Sequence, residues 1–123
     1  MRALITGGAG FIGSHLVRLM VNKYPTYRIV CLDKLTYAGT LTNLASLPSD
    51  SFEFIQGDIC DSELTKKLVS RHNAVINFAA ESHVDRSIEG SRDFVLTNVL
   101  GTQTLLEAAR VGSIETFVQV STD

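Results

Sequence analysis

The segment Thr6 to Ser14, TGGAGFIGS, most constrains what this chain can fold into. It follows the apolar run Ala3 to Ile5 and leads into Phe11-Ile12-Gly13-Ser14-His15-Leu16-Val17, which reads as the start of a helix. Gly8, Gly10 and Gly13 fit a dinucleotide fingerprint with glycines at positions one, three and six, and Gly7, Gly10 and Gly13 give a wider spacing. Both readings rest on the same physics. The early glycines permit backbone angles closed to other residues and let the main chain approach a pyrophosphate. Gly13 lets helix and strand pack closely, and the orphan N–H groups of the helix N-terminus then form an anion site.

A glycine pattern gains meaning from its context. Here the run Arg28 to Leu32 ends in Asp33, which stands 20 residues beyond Gly13, where the fingerprint expects an acid for the ribose hydroxyls. Its carboxylate would repel a 2′-phosphate, so NAD is expected rather than NADP. A net charge of −2 gives no basic footprint for nucleic acid. No apolar run approaches the roughly 20 residues of a membrane helix, and Met1-Arg2 opens directly onto a strand, so a cytoplasmic protein is expected. Cys31 and Cys60 read as two small buried thiols, because no CxxC or Cys/His cluster accompanies them and no metal site is indicated.

The rest of the chain alternates strand and helix patterns. A first strand, Arg2 to Thr6, precedes a helix from about Phe11 to Lys23, with Leu16, Leu19 and Met20 at helical spacing and Tyr24-Pro25 as its stop. After Asp33 comes a polar and aromatic loop, then Leu41, Leu44 and Leu47 in a short helix ended by Pro48. Phe52 to Gln56 alternates as a third strand, after which Asp58 is either a ligand-facing acid at a strand's carboxyl end or a turn residue. Asp61 suits the N-cap of a helix reaching Arg71. Ala74 to Phe78 is an apolar strand followed by Ala79-Ala80-Glu81-Ser82-His83, where His83 is either an acid or base or a polar wall residue. A long helix, Ser91 to Val111, carries two stripes. Val95, Val99, Thr102 and Leu106 form one; Phe94, Gly101, Leu105 and Ala108 form the other. Thr116 to Val120 reads as a fifth strand. One doubly wound, Rossmann-type α/β domain with a parallel sheet of order 3-2-1-4-5 is therefore expected.

TGGAGFIGSH, LDKLTYAGTLTNL, GDICD, NFAAESHVDRSI, TNVLGTQTLLEAAR and VSTD together resemble the extended short-chain dehydrogenase/reductases, in particular their nucleotide-sugar 4,6-dehydratases, over the whole chain. The resemblance implies NAD as cofactor, with the backbone of Gly7, Gly10, Phe11, Ile12 and Gly13 around its pyrophosphate. It implies Asp33, Lys34, Leu35 and Thr36 at the adenosine ribose, and Asp58 and Ile59 at the adenine. Phe78, Ala79, Ala80, Ser82 and Thr97 would line the path to the nicotinamide. Ser82, His83 and Thr122 would meet a nucleotide-sugar substrate, while Thr122 and Asp123 would occupy catalytic places, the latter as the dehydratase acid.

The family's Tyr-x-x-x-Lys pair has no match: Tyr24, Tyr27 and Tyr37 are followed four residues later by Arg28, Cys31 and Leu41. The glutamate base would lie beyond Asp123, as would the sugar-nucleotide domain. The expectation is a truncated dinucleotide-binding domain, residues 1–123, inactive alone, without nucleic-acid or membrane partners. A homodimer or higher self-association is expected, through the long helix or the edge strand Phe117 to Val120. A nucleotide-sugar 4-epimerase fragment and a non-enzymatic dinucleotide-binding module are the alternatives, with Asp123 favouring the dehydratase.

Overall fold

A computed structural model describes residues 1–36, 39–81 and 90–121. In chain order the elements are β1 (Arg2–Thr6), α1 (Phe11–Lys23), β2 (Arg28–Asp33), a 3-10 turn (Leu41–Leu44), β3 (Glu53–Gln56), α2 (Ser62–Val69) and β4 (Ala74–Asn77). There follow α3 (Ser91–Phe94), a π-helical stretch (Val95–Gly101), α4 (Thr102–Val111) and β5 (Thr116–Gln119). The strands form one parallel sheet, as the alternation of strands and helices requires, in the expected order β3-β2-β1-β4-β5.

Strand alternation divides the core between the two sheet faces. Leu4, Val30, Leu32 and Val75 pack against Leu68 and Val69 of α2 and Leu105 and Ala108 of α4. Ala3, Ile5, Ile29 and Cys31 face the other way, onto Val17 and Met20 of α1 and Leu44 of the 3-10 turn. Burial pushes the Cys31 thiol up to about 12, assisted by the Asp33 charge, so it stays protonated in the core. Cys60, expected buried as well, is only half-buried, because it lies past the end of β3 at a cleft, with its thiol donating to Leu96 O.

Two local features depart from the sequence reading, while the helical spacing in α1 holds, with Leu19 on its outer side, 56% exposed, and Gly13, Val17 and Met20 turned inward. The short helix expected over the leucines at 41, 44 and 47 is a single 3-10 turn, Leu41–Leu44, with Leu47 beyond its end; a spacing of three is the 3-10 period, and Thr40 Oγ1 caps the turn by accepting from Thr42 N. The long helix widens to π spacing over Val95–Gly101, beside the cleft described below. Other boundaries agree closely. Asp61 caps α2 by accepting from Leu64 N at 3.1 Å, with Glu63 in the first turn and Lys66 and Lys67 in the last, each matched to the helix dipole. Among the described residues no helix is long and apolar enough to cross a membrane.

Candidate functional site

The chain between β1 and α1 turns back on itself through Gly7, whose φ of +69° lies in the left-handed region. A Cβ there would come within 2.6 Å of Ala79 N and Phe78 C, so β1's turn and the segment after β4 touch only because Gly7 has no side chain. A Cβ on Gly13 would likewise collide with the Gly7 carbonyl oxygen. The helix N-terminus is thereby drawn against the strand end. Gly10 is the N-cap and offers no side-chain acceptor, the first turn holds no acid, and the first helical bond is Ser14 N to Gly10 O at 2.9 Å. The N–H groups of Phe11, Ile12 and Gly13 are thus left to face an anion. Phe11 and Ile12 stay exposed, as residues whose backbone serves a ligand can be.

Asp33 ends β2 beside this turn. One carboxylate oxygen accepts from Ala9 N at 2.9 Å and the other from Leu35 N at 2.8 Å, which fixes the group in orientation while leaving lone pairs for ribose hydroxyls. Leu35 adopts φ +60°, an uncommon conformation for a side-chain-bearing residue, and that strained turn aims its N–H at Asp33. Its side chain packs with the α1-side core, so Leu35 serves the site through its backbone. Lys34 Nζ pairs with Asp58 Oδ2 at 3.3 Å across the same cleft. Burial alone would push the Asp58 carboxyl up, yet the Cys60 N–H, 2.9 Å from Oδ1, and the Lys34 ammonium outweigh it and hold the group below its ordinary range. Asp58 is both a turn residue, accepting from Cys60 N, and a cleft residue, paired with Lys34. Thr36 lines this cleft as well. Ile59 lies beside Asp58 in the wall but is only 4% exposed, with most of its side chain packed under Gly101.

Across the turn, Phe78, Ala79 and Ala80 continue β4 into a larger cleft of about 600 Å³, bordered by Gly10, Phe11, Ile12 and Gly13. Thr97, on the π-helical stretch, faces the adjoining cleft that Asp33 and Asp58 border and that Phe78, Ala79 and Ala80 also line. Ser82, His83, Thr122 and Asp123 lie outside the described residues.

Four residues that the sequence reading passed over hold this architecture. Asn43 Nδ2 donates to Ala9 O at 2.8 Å, and Thr40 N donates to the same oxygen at 3.1 Å, binding the loop after β2 to the glycine turn. Asn77, fully buried at the end of β4, accepts from Thr6 Oγ1 and from Ala79 N at 3.1 Å, and donates to Gln119 Oε1 at 2.9 Å. One carboxamide thus ties β1, β4 and β5 together where they meet the cleft. Asn98 accepts from Glu81 N at 2.8 Å and donates to Glu81 O at 2.9 Å, so the segment from Ala79 to Glu81 is held at both ends. A buried Asn at the end of an otherwise apolar strand, and an Asn within an apolar helix stripe, are the signals that could have revealed the latter two.

The arrangement fits NAD on chemical grounds: an uncapped helix N-terminus for a pyrophosphate, a fixed carboxylate for ribose hydroxyls, and a small-residue wall leading into a wider cleft. Compared with known proteins, residues 4–123 match the family described as GDP-mannose 4,6 dehydratase. The low-salt glycan biosynthesis protein Agl12 of Haloferax volcanii is 53% identical over all of this chain, which spans 40% of that protein. The structure of a DesIV double mutant, a dTDP-glucose 4,6-dehydratase from Streptomyces venezuelae with NAD bound, is 50% identical and superposes with a TM-score of 0.92, covering 99% of this chain and 39% of that one. A UDP-glucose 4-epimerase from Thermotoga maritima, solved with UDP-glucose, is 31% identical with a TM-score of 0.87, covering 99% of this chain and 38% of its own. The chain thus spans about 40% of the length of the relatives it matches.

Proposed function

Because the chain belongs to the GDP-mannose 4,6 dehydratase family, we propose that it is the NAD-binding portion of a dTDP-glucose 4,6-dehydratase, with the sugar-nucleotide domain and two catalytic bases supplied outside it. The observation that carries this reading is the Asp33 carboxylate, gripped by Ala9 N and Leu35 N beside an uncapped helix N-terminus. NAD would accept hydride from C4 of the sugar and return it to C6. Gly7, Gly10, Phe11, Ile12 and Gly13 would hold its pyrophosphate, Asp33, Lys34, Leu35 and Thr36 its adenosine ribose, and Asp58 and Ile59 its adenine. Phe78, Ala79, Ala80, Ser82 and Thr97 would guide the nicotinamide end.

Oxidation at C4 acidifies the C5 hydrogen, and water then leaves across C5–C6. Hydroxide is a poor leaving group, so Asp123 is assigned the proton donor to the C6 oxygen, with Thr122 beside it and Ser82 and His83 against the substrate. An acid in that role needs a raised pKa, through burial or a neighbouring carboxylate. The 31% identical epimerase keeps a 4-epimerase as the second reading; Asp123 separates them, because epimerisation needs no leaving-group acid. The test is mass spectrometry of dTDP-glucose incubated with the full-length protein. Loss of one water, abolished or slowed at least about a hundredfold by Asp123→Asn, supports a dehydratase, whereas a 4-epimer of unchanged mass favours the second reading. The 123-residue chain alone is expected to convert nothing.

The reading extends to assembly and setting. Val95, Val99 and Leu106 are 57%, 63% and 48% exposed on the outer stripe of the long helix, which supports a two-fold homodimer through that face. Light scattering should give a dimer mass that falls to the monomer's in Val99→Asp; a monomer mass for the unaltered chain contradicts it. The free Cys31 and Cys60 accord with a reducing, cytoplasmic compartment.

A further inference from the structure

The end of the sheet farthest from the glycine turn carries a second concave surface, built from arginines rather than glycines. β1 and β2 begin on Arg2 and Arg28, which are register partners and so project from the same face. Arg71 follows the end of α2, and His72, 8% exposed, is pinned beneath it by Nδ1 donating to Leu68 O at 2.6 Å. These four residues line a groove of about 550 Å³ whose rim also carries Asp50 and Glu53.

The helix C-terminal dipole accounts for Arg71. Nothing comparable accounts for the other two. Like charges directly opposite on neighbouring strands destabilise a sheet, and no carboxylate among the described residues lies within ion-pair distance of Arg2, Arg28 or Arg71. Arginine's planar fork suits phosphoryl oxygens, so an anion seated here would relieve the repulsion and engage two or three forks together. The nearby Asp50 and Glu53 carboxylates disfavour a bare polyanion but suit a ligand that presents hydroxyl donors beyond its phosphoryl group. We infer that this groove is a binding site for a sugar phosphate, with the phosphoryl group on Arg2, Arg28 and Arg71 and the sugar hydroxyls toward Asp50 and Glu53. The site stands apart from the cofactor cleft and does not rest on its assignment.

Nuclear magnetic resonance of the chain, titrated with glucose 6-phosphate at constant ionic strength, tests this. His72 is the reporter at the groove, and the Gly10 and Ile12 amides report on the glycine turn. The expected result is saturable movement of the His72 ring signals. Arg2→Gln/Arg28→Gln should weaken that response at least about tenfold. Glu53→Gln should weaken glucose 6-phosphate but not inorganic phosphate, and glucose alone should move nothing. If the double variant does not fold, Arg28→Lys carries the test, because it keeps the charge, loses the fork and should still weaken binding several-fold. A His72 signal that stays fixed, that moves equally in the arginine variants, or that stays fixed while only Gly10 and Ile12 respond overturns the proposal.

Discussion

The two ends of this sheet face anions by opposite means. At the carboxyl end the chain uses backbone: Gly7 and Gly13 clear the space, the first turn of α1 presents its N–H groups, and the one strongly placed acid, Asp33, is held by main-chain donors. At the amino end it uses side chains, with Arg2 and Arg28 set opposite each other and Arg71 closing the groove. Backbone donors are rigid and need closely packed surroundings, so substitutions there disturb the fold itself. Exposed side chains are adjustable, and their loss touches binding more than stability.

Substitution at the turn should have the largest effect. Gly7→Ala places a Cβ against the Phe78 and Ala79 backbone at a positive φ, and should cost about 3 kcal/mol and abolish NAD binding; thermal unfolding with an NAD titration checks both. An unchanged midpoint would show that the turn is looser than described. Asn77→Leu ranks next. It leaves the Thr6 hydroxyl, the Ala79 N–H and Gln119 without their shared partner, at about 2 kcal/mol, measurable by urea unfolding.

Acid should separate the two ends by pH. Burial holds His72 below its usual value of 6.5, the Leu68 carbonyl partly opposing and Arg2 and Arg71 reinforcing the shift, with Glu53 opposing. The folded chain therefore resists a proton that the unfolded chain accepts, so His72 costs stability progressively as pH falls below about 6.5 and its loss levels off beneath the folded value. Asp58 behaves oppositely. Its lowered carboxyl contributes stability that is fully present above 3.8 and is lost as pH falls through its folded value. Unfolding midpoints across this range should show a first decline near pH 6 that His72→Gln removes. A decline that survives the substitution points to another group. The smallest effect is Arg28→Gln, which removes one of two facing cations and should change stability by under about 0.5 kcal/mol, leaving NAD affinity unaltered. A large loss would mean that the arginines hold the fold.

The same contrast explains what could be read from the sequence. A parallel sheet followed from alternating patterns and its order from the dinucleotide fingerprint, and the glycine turn and Asp33 were legible because backbone sites demand glycine and an acid at fixed spacing. Asn43 was not, since an amide that bonds a distant backbone leaves no local pattern, and Asn98 showed only as a polar break in an apolar helix stripe, which does not say what it bonds. Asn77 was hidden at the end of an apolar run. The Arg2–Arg28 pairing needs register, which appears only when β1 and β2 are laid side by side. Which face of α1 turns inward was not legible either, because leucines fit a stripe on more than one face and the packing of Gly13 against Gly7 decides between them.

The central claim is that Asp33, fixed by Ala9 and Leu35, selects a dinucleotide with a free ribose 2′-hydroxyl. Calorimetric titration of NAD and NADP into the chain and into Asp33→Ala tests it most directly. The account predicts NAD at least about tenfold tighter than NADP, with the gap narrowed in the variant chiefly through weaker NAD. Equal affinities for the unaltered chain would contradict it.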